Sequence, residues 1–327
     1  MKKINEIVKG KKVLFAATKN RDYLRNEQEI NLIKENAASC EEIVYADKSY
    51  IKRIIKVWLA CLKGTYKKAD VIFVGFAPQL VMPFLKKWNK KKTVVIDFFI
   101  SMYDTCVMDR TYFKKGSIFA KILHRIDENT LARCSHVIVD TEADADFFAE
   151  EFHASRDKME VLYLEADTKI YQPDKYKATA TKSNFSVLYF GSILPLQGID
   201  VILEAQRLLK EEKNISFTMI GPVDEKKVKK EDYPNTTFYE WLSQEELAEK
   251  IAQADLCLAG HFHGTIGKAS RTIPGKAYIY EAMGKRMILG DNAANHELFT
   301  EDERHTFVKM GDAQALAEKI KSEGTGK

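Results

Sequence analysis

The sequence lacks the features of a disulfide-stapled secreted fold and of a membrane-spanning chain. Five cysteines stand among 327 residues, an odd number without CxxC spacing, which argues against a disulfide framework or a zinc ribbon and fits a reducing cytoplasm. The longest apolar stretch, 71–85, is broken by Pro78, Gln79 and Pro83, so it is too short to cross a bilayer. The N-terminal segment MKKINEIVKGKK has no apolar core, and we therefore expect no signal peptide.

Acidic residues are scarce in the first third of the chain. Residues 1–100 hold 21 basic and 10 acidic side chains, whereas the remaining residues hold 30 and 37, although the net charge of the whole chain is only +4. A basic surface of this kind either faces an anionic partner or is simply well solvated. Apolar residues make up 45% of the sequence and charged residues 30%, which argues against a largely disordered chain, a collagen or a coiled coil.

Short apolar runs alternate with segments of helical periodicity along the chain. In the first half the predicted strands are 11–18, 42–46, 71–76, 93–98, 137–140 and 159–164, and the predicted helices are 21–35, 50–66, 117–132 and 142–152. In the second half the predicted strands are 186–190, 217–220, 237–239, 256–259 and 287–289, and the predicted helices are 198–210, 243–253, 276–283 and 312–321. Near-continuous apolar strands that alternate with helices indicate parallel sheets covered on both faces.

A polar segment without periodicity, 172–184, separates the two series and is the predicted domain linker. We therefore predict an α/β chain of two Rossmann-like domains, 1–172 and 185–327, with a cleft between them. Ligands of such sheets bind at the carboxyl ends of the strands. This is the GT-B architecture of nucleotide-sugar glycosyltransferases, and it also occurs in non-hydrolysing sugar epimerases and in bilobal binding proteins.

The second half also carries a resemblance in sequence. The segments YFGSILPLQGIDVILEAQRLL, FTMIGP, FYEWLSQEELAEKIAQADLCLAG, IPGKAYIYEAMGKRMILGD and FVKMGDAQALAEKI follow one another between residues 186 and 320. In this order and spacing they resemble glycosyltransferase family four, also called group one, and the first half resembles it more loosely. The resemblance implies a GT-B fold and sugar transfer from a nucleotide donor, usually with retention of configuration and without an essential metal.

Gly191 and Gly198 bracket the first strand–helix junction of the second half. Glycines there let backbone N–H groups approach a phosphate at a helix N-terminus, although a tight turn explains them equally well. In the family, this loop often carries an Arg and a Lys that serve the diphosphate. Ser192 and Gln197 stand at those positions here, so both family cations are missing.

The segment 270–281 is the second candidate donor-binding region. The family has two glutamates here, and the gapless register places Arg271 and Ile279 at their positions. Glu281 lies two residues beyond Ile279, which turns it to the other side of a helix. Arg271 and Lys276 remain as a candidate diphosphate clamp beside a helix N-terminus, or as two solvated cations.

Further candidate donor contacts follow other strands. In the family a glutamate near Glu297 meets the ribose, and Trp241 lies where the chain passes the nucleobase, although Trp is more often a core residue. His261 and His263 flank Phe262, but a metal site needs a third ligand that the spacing does not supply. We predict that the histidines line a sugar pocket or belong to an ordinary loop.

The candidate acceptor site follows strands of the first half. Asp97, Ser101, Asp104 and Arg110 crowd one loop, and carboxylates at such a place suit acceptor binding or a base for a hydroxyl nucleophile, with caps and salt bridges as the alternative. Asp104 is the predicted catalytic base. Residues 18–21, including Asn20 and Arg21, are predicted to contact an anionic acceptor.

The basic excess lies in helix 50–66 and in the run 86–92. Between Lys48 and Lys68 there are seven basic residues and no acid, beside an apolar stripe that includes Trp58. Such a helix can lie on anionic lipid, or its stripe packs on the sheet while the lysines are solvated. Acceptors in the family are often lipid-linked, which makes peripheral membrane contact a hypothesis. Nucleic acid is disfavoured because aromatic residues do not interleave with the basic ones.

The resulting prediction is a cytoplasmic glycosyltransferase, at the inner face of the membrane if the docking hypothesis holds. It transfers a hexose-like sugar from a UDP- or GDP-sugar to a hydroxyl of a glycan or lipid-linked acceptor in surface glycan or glycolipid assembly, with no cofactor and no metal. The first alternative is a non-catalytic GT-B accessory subunit or glycan-binding partner, which the missing glutamate pair and loop cations favour. A sugar-nucleotide epimerase is the second alternative.

Overall fold

The computed structural model describes residues 2–85, 92–176, 184–224 and 228–325. The chain divides into two units, Met1–Glu165 and Ala166–Lys327, and each has its own six-stranded sheet. The predicted linker begins shortly after this division, and its residues 177–183 lie outside the described ones. Within the described ranges, no helix is long and apolar enough to cross a membrane.

The first unit is a parallel α/β sandwich. Its strands are β1 (Lys12–Ala16), β2 (Ser39–Ile43), β3 (Val71–Val74), β4 (Thr93–Asp97), β5 (His136–Val139) and β6 (Met159–Val161). Its helices are α1 (Lys2–Val8), α2 (Leu24–Asn36), α3 (Tyr50–Leu62), α4 (Ile118–Ala132) and α5 (Glu142–Glu151). The strands lie in the order β2-β1-β3-β4-β5-β6, so the direction of winding reverses between β1 and β3.

Helices cover both faces of this sheet because its strands are apolar on both sides. Val57 of α3, Leu131 of α4 and Phe148 of α5 pack into one cluster on one face. Ile4 of α1 and Ile30 of α2 pack into a second cluster on the other face. Helices α3, α4 and α5 therefore form one layer, and α1 and α2 form the other.

The second unit repeats this architecture. Its strands are β7 (Phe185–Phe190), β8 (Ile215–Ile220), β9 (Thr236–Tyr239), β10 (Leu256–Gly260), β11 (Met287–Gly290) and β12 (His305–Val308). Its helices are α6 (Ile199–Leu208), α7 (Gln244–Gln253), α8 (Gly267–Arg271), α9 (Gly275–Ala282) and α10 (Ala313–Thr325). The strand order is β12-β11-β10-β7-β8-β9, and every pairing is parallel. This is the doubly wound Rossmann order, with its reversal between β7 and β10.

The predicted α/β class is confirmed, and most predicted elements are present within a few residues. The Ser243–Glu246 capping box at the start of α7 is formed as expected. Strand β2 begins earlier than predicted because Ser39 pairs with Lys12 of β1. Three elements were not predicted: α1 and α8, which are short, and β12, whose sequence HTFV has only two strongly apolar residues.

A buried charge cluster joins the strand ends of the first unit. The Arg25 guanidinium donates to both carboxylate oxygens of Asp97, at 3.1 and 3.0 Å, and to the Leu162 carbonyl. Asp140 lies 3.3 Å from the same guanidinium, and Glu29, which is fully buried, lies 3.9 Å from it. Burial, together with the neighbouring Asp97, raises the pKa of Glu29 well above its usual value of 4.5. The folded chain therefore holds a proton here that the unfolded chain releases.

Replacing Glu29 with its neutral isostere should remove one source of pH dependence. Because the folded pKa is raised, the stabilisation linked to this proton is complete below about pH 4.5 and is lost as pH rises through the folded pKa. Glu29→Gln is therefore expected to flatten the fall in the free energy of unfolding as pH rises above about 4.5. Urea unfolding at several pH values measures how the free energy of unfolding depends on pH. Glu35→Gln, at an exposed position of the same helix, serves as the control, and a wild-type slope in Glu29→Gln contradicts the assignment.

Candidate functional site

The reversal of strand order in the second unit defines the candidate site of that unit. The connections from β7 and β10 leave in opposite directions, so a crevice opens at their carboxyl ends. The loop after β7 runs from Gly191 to Gly198, and the loop after β10 begins with His261. Helix α9 contributes its first turn to the same place through Lys276.

Close backbone contacts hold these loops together. An added Cβ at Gly221 would collide with the carbonyl oxygen of Gly191, and one at Gly198 would lie 2.6 Å from the carbonyl carbon of Phe262. Gly198 also has a φ of +67°, a conformation that favours glycine. The loops after β7, β8 and β10 are therefore packed backbone against backbone, without room for side chains.

Some backbone amides of the β7 loop donate hydrogen bonds within the fold, and others do not. Gly191 N–H donates to the Ile220 carbonyl at 3.0 Å, and Gly198 N–H donates to the Pro195 carbonyl at 3.1 Å. These two N–H groups are thus engaged, although the sequence singled out their residues. The amides of Ser192 and Ile193 make no hydrogen bond within the described part of the chain, and they are the available donors in this loop.

A buried amine lies at the centre of the crevice. Lys276 is 5% exposed, its Nζ contacts Gln197 Oε1, and it lies 4.5 Å from the centroid of the Tyr189 ring. The same Nζ would be 3.3 Å from a Cβ at Gly191, so it lies against the loop backbone. Burial lowers the pKa of Lys276 to about 7. Such an amine is poised to gain a proton when an anion arrives.

Lys276 and Gln197 meet in space although they are far apart in sequence. The resemblance to glycosyltransferase family four places a lysine at position 197. The structure puts Lys276 directly against that position, because α9 begins beside the β7 loop. The amine of Lys276 therefore lies beside the loop position at which the family has its lysine.

His261 is a neutral partner in the same core. It is 3% exposed, and its Nδ1 lies 3.4 Å from the Thr272 hydroxyl. Burial, together with the charge of Lys276, lowers the pKa of His261 to about 3. His263 instead accepts hydrogen bonds from the amides of Thr265 and Ile266, at 3.2 and 3.3 Å. The described ranges contain no cluster of three residues suited to a metal ion.

A recess beside the β7 loop contains Trp241. It encloses 660 Å³ and is bounded by Gly221, Tyr239, Glu240 and Trp241, among others. The Trp241 side chain is 62% exposed, so it is not the core residue that its type suggests. Because Gly221 packs on Gly191, this recess and the buried amine are neighbours across one layer of backbone. The recess itself offers an exposed aromatic surface.

A second cavity touches the other side of the same loop. It encloses 590 Å³ and is lined by apolar side chains together with the carboxylates of Asp200, Glu204 and Asp224. Three carboxylates make it an unfavourable place for an anion. The side of the loop that faces Lys276 is the better anion site.

The remaining predicted donor residues are distributed around this core. Arg271 ends α8, close before Lys276, and Glu297 ends the single turn Asn295–Glu297 after β11. Glu281 lies elsewhere: its carboxylate accepts from Arg304 at 2.9 Å and pairs with His305 at 2.7 Å. The two-residue step therefore turns Glu281 towards β12, as the helical geometry predicted.

In the first unit, the predicted acceptor residues divide into surface and buried groups. Asn20 and Arg21 lie after β1, where Asn20 contacts Asp22 and Arg21 pairs with Glu42 at 3.0 Å. Arg110 is exposed and donates to the Tyr112 hydroxyl at 3.5 Å. Asp97 is fully buried by its pairing with Arg25, as described above.

Ser101 and Asp104 belong to a buried hydrogen-bonded turn. The Ser101 hydroxyl donates to Asp127 at 2.7 Å and accepts from the Asp104 amide at 2.9 Å. Asp127 also accepts from the Tyr103 amide at 2.8 Å and from Gln79 at 2.9 Å, and burial raises its pKa. Asp104 is itself only 1% exposed. Sequence reasoning missed Asp127, because it lies within a helix and away from the loop that it organises.

Comparison with known proteins gives the class of the chain. In fold it is similar to Anabaena Alr3699/HepE, solved in complex with UDP, with a TM-score of 0.69 and 14% identity over 95% of this chain and 89% of that one. Sucrose-phosphate synthase (tll1590) from Thermosynechococcus elongatus gives a TM-score of 0.65 and 13% identity over 95% and 89%. A glycosyltransferase from Rickettsia africae ESF-5 gives a TM-score of 0.65 and 14% identity over 96% of this chain and 88% of that one. The chain therefore has the GT-B fold, and these similarities support glycosyltransferase activity.

The family model that matches the sequence lies in the second unit. Residues 184–322 match the model described as Glycosyl transferases group 1. The resemblance seen in the sequence is therefore confirmed over the second unit. No curated protein sequence matches it significantly.

The packing of the β7 loop can be tested with two glycines of similar backbone conformation. Gly198 and Gly284 have φ values of +67° and +62°, but an added Cβ meets Phe262 at Gly198 and nothing within 4 Å at Gly284. Both alanine variants should lose about 1–2 kcal/mol of unfolding free energy from the left-handed conformation. Gly198→Ala should lose about 1–3 kcal/mol more through overpacking. Urea unfolding measures both, and equal losses would show that the contact with Phe262 is not tight.

Proposed function

We propose that the chain transfers a sugar from a nucleoside diphosphate donor to a hydroxyl acceptor, and that the donor binds in the second unit. The observation that carries the proposal is the buried amine of Lys276 at the Rossmann reversal point, beside the Gly191–Gly198 loop. Lys276 has no carboxylate partner among the described residues. A buried ammonium of this kind is costly, so the site favours an anionic ligand that supplies the missing charge.

The diphosphate is proposed to lie between α9 and the β7 loop. Lys276 supplies the cation, and the open amides of Ser192 and Ile193 supply backbone donors. The N-terminus of α9 adds the positive end of the helix dipole. Gly191, Gln197 and Gly198 have positioning roles: the glycines permit the close packing, and Gln197 orients the amine.

The nucleoside is proposed to occupy the Trp241 recess, with the base stacked on the indole. HepE, which is similar to this chain in fold, was solved in complex with UDP. A UDP-sugar is therefore the first donor to test, with a GDP-sugar as the alternative. Ile279 stands at the place of the second family glutamate, so ribose binding must rely on other groups. We propose Glu297 for this contact, with Arg271 as a second phosphate contact and Glu281 as a support of β12.

The acceptor is proposed to bind the first unit, at the carboxyl ends of its strands. Asn20, Arg21 and Arg110 are the exposed candidates there. Ser101 and Asp97 are proposed to position the backbone of this site, Ser101 through its hydrogen bond to Asp127 and Asp97 through its pairing with Arg25. Asp104 remains the predicted base, and its burial gives Asp104→Asn a second expected effect, on the stability of the turn.

The wider context of the reaction rests on the family resemblance. We propose retention of the anomeric configuration, no metal requirement, and a glycan or lipid-linked acceptor in surface glycan assembly at the inner face of the membrane. The accessory-subunit alternative is favoured by one observation. Glu281 is committed to Arg304 and His305, so the family's glutamate pair is not formed.

Calorimetric titration with UDP, GDP and their common sugars, without added metal, tests the proposal and separates it from the alternative. The pKa of Lys276 in the protein without ligand is about 7, and the anion binds its charged form. The affinity for the nucleotide should therefore fall as pH rises. We expect the dissociation constant to rise about tenfold per pH unit above about pH 7.5. Lys276→Arg stays charged and should show little change over this range, whereas Lys276→Gln should bind at least about tenfold more weakly.

The outcomes decide between the two functions. Binding of one nucleotide with this pH profile supports the transferase and identifies the donor class. A folded wild-type chain that binds none of the nucleotides favours the accessory subunit. Binding that is unchanged in Lys276→Gln contradicts the proposed diphosphate site.

Stacking in the Trp241 recess gives an independent prediction. Trp241→Ala removes the aromatic surface and should weaken binding of the preferred nucleotide about tenfold, since stacking on an aromatic side chain contributes about 1–3 kcal/mol per base. Trp241→Phe should retain most of the affinity, and pyrophosphate alone should bind both variants like the wild type. Equal losses for pyrophosphate and nucleotide would place the effect at the phosphates.

A further inference from the structure

Helix α3 exposes an apolar stripe along its full length. Ile51, Ile55, Leu59 and Leu62 are 68%, 45%, 52% and 66% exposed, and their spacing places them on one face of the helix. The opposite side packs on the sheet through buried residues such as Val57. The alternative in which the predicted stripe packs on the sheet is therefore wrong for Ile51, Ile55 and Leu62, which are exposed. Trp58, which the prediction placed in the same stripe, is half-buried and stacks on Phe84.

A second exposed apolar group lies at the start of α4. Ile118, Phe119 and Ile122 are 76%, 61% and 49% exposed, and Tyr112, in the preceding loop, is 64% exposed. Single exposed apolar residues are ordinary, but two groups of this size on one unit are not. The sequence did not single out this group, because its segment also contains the buried residues that fix α4 to the sheet.

The two groups belong to the same helical layer. Both α3 and α4 pack into one core cluster on the same face of the first sheet. Between them runs the segment 78–85, whose turn Pro78–Leu80 contacts α4 and whose turn Met82–Leu85 contacts α3. We call the seven α3 and α4 residues, Ile51, Ile55, Leu59, Leu62, Ile118, Phe119 and Ile122, the exposed face.

Positive charge surrounds the exposed face. Lys52 and Lys56 of α3 directly follow Ile51 and Ile55, and Lys63 follows Leu62 at the end of the helix. Lys56 is paired with Asp47 at 2.8 Å. Carboxylates are few on this part of the chain, since residues 48–69 contain none.

A basic pocket opens beside the α4 group. It encloses 410 Å³, and Lys115, Lys121 and Arg125 line it together with His124 and Glu151. Arg125 is paired with Glu128, and His124 lies 3.4 Å from Glu151. Lys115 and Lys121 are exposed, so the pocket presents two lysine amines next to exposed isoleucine and phenylalanine.

We propose that the exposed face docks on an anionic lipid bilayer. Apolar side chains flanked by lysines match the boundary between acyl chains and anionic headgroups, and the basic pocket is sized for a headgroup. A second copy of the chain is a poorer occupant, because it would bring lysines against lysines. The amphipathic pattern of α3 contributes affinity through burial, and the lysines contribute selectivity for negative charge.

Docking in this way would bring the acceptor side of the first unit to the membrane surface. Helices α3 and α4 begin where the chain leaves the carboxyl ends of β2 and β4, which is the edge proposed for the acceptor. The acceptor class that fits is therefore lipid-linked. This last step rests on the proposed function, whereas docking itself does not.

Sedimentation of the full chain with lipid vesicles tests the proposal. We expect binding to phosphatidylcholine vesicles that contain about one third phosphatidylglycerol, and binding at least about tenfold weaker to phosphatidylcholine alone. Raising salt from about 0.1 M to about 0.5 M should weaken the binding, since it screens the lysines. Ile55→Glu with Leu59→Glu, and separately Lys115→Glu with Lys121→Glu, should each weaken it about tenfold.

A matched control separates docking from general loss of apolar surface. Leu208→Glu changes a residue of the second unit that is 45% exposed, as Ile55 is, and it should bind vesicles like the wild type. Nucleotide titration of each variant checks that the second unit is intact. A wild type that binds vesicles but no nucleotide leaves the docking in place and removes the donor proposal.

Three results overturn the docking proposal. One is the absence of binding to either kind of vesicle, and another is equal binding to neutral and anionic vesicles. The third is a wild type that is dimeric in solution and becomes monomeric in Ile55→Glu with Leu59→Glu, which would assign the exposed face to a second copy of the chain.

Discussion

The burial of one amine, which has no carboxylate partner in the part of the chain that the structure describes, is the constraint on which the crevice of the second unit depends. Lys276 lies at the crevice because α9 begins there. Its amine contacts the side chains of Gln197 and Tyr189, which offset its positive charge only weakly. Both partners are neutral, so the amine keeps part of its unsatisfied charge. The glycines of the β7 loop allow the backbone to come close enough for this contact. The site is thus built to be completed by a ligand.

The first unit uses a buried cation in the opposite way. Arg25 is held by two oxygens of Asp97 and by the carbonyls of Leu162 and Val139, which lie at or after the ends of three neighbouring strands. Its charge is satisfied within the fold, so it fixes the strand ends and does not attract an anion. The contrast between Arg25 and Lys276 is the physical reason for assigning the nucleotide to the second unit.

Patterns within a single segment were predictable, and contacts between segments were not. The sequence predicted the two parallel sheets and the capping box of α7, because each depends on local periodicity or turn geometry. It could not show that Lys276 meets Gln197, or that Asp127 organises the loop at Ser101, since tertiary packing creates both contacts. For α3 it left two alternatives, because an apolar stripe has the same period whether it faces a sheet or the solvent.

The backbone contact between Gly191 and Gly221 has a consequence for the divergence of such proteins. A Cβ at Gly221 would collide with the Gly191 carbonyl oxygen, and a Cβ at Gly191 would press on Tyr189 and Lys276, so this backbone is resistant to substitution. The side chains that rim the Trp241 recess are free of this restriction, since Trp241 and Glu240 lie at its outer edge. If the nucleotide binds as proposed, preference for one nucleobase over another can therefore drift by single substitutions at the rim, while the backbone proposed to contact the phosphates stays unchanged.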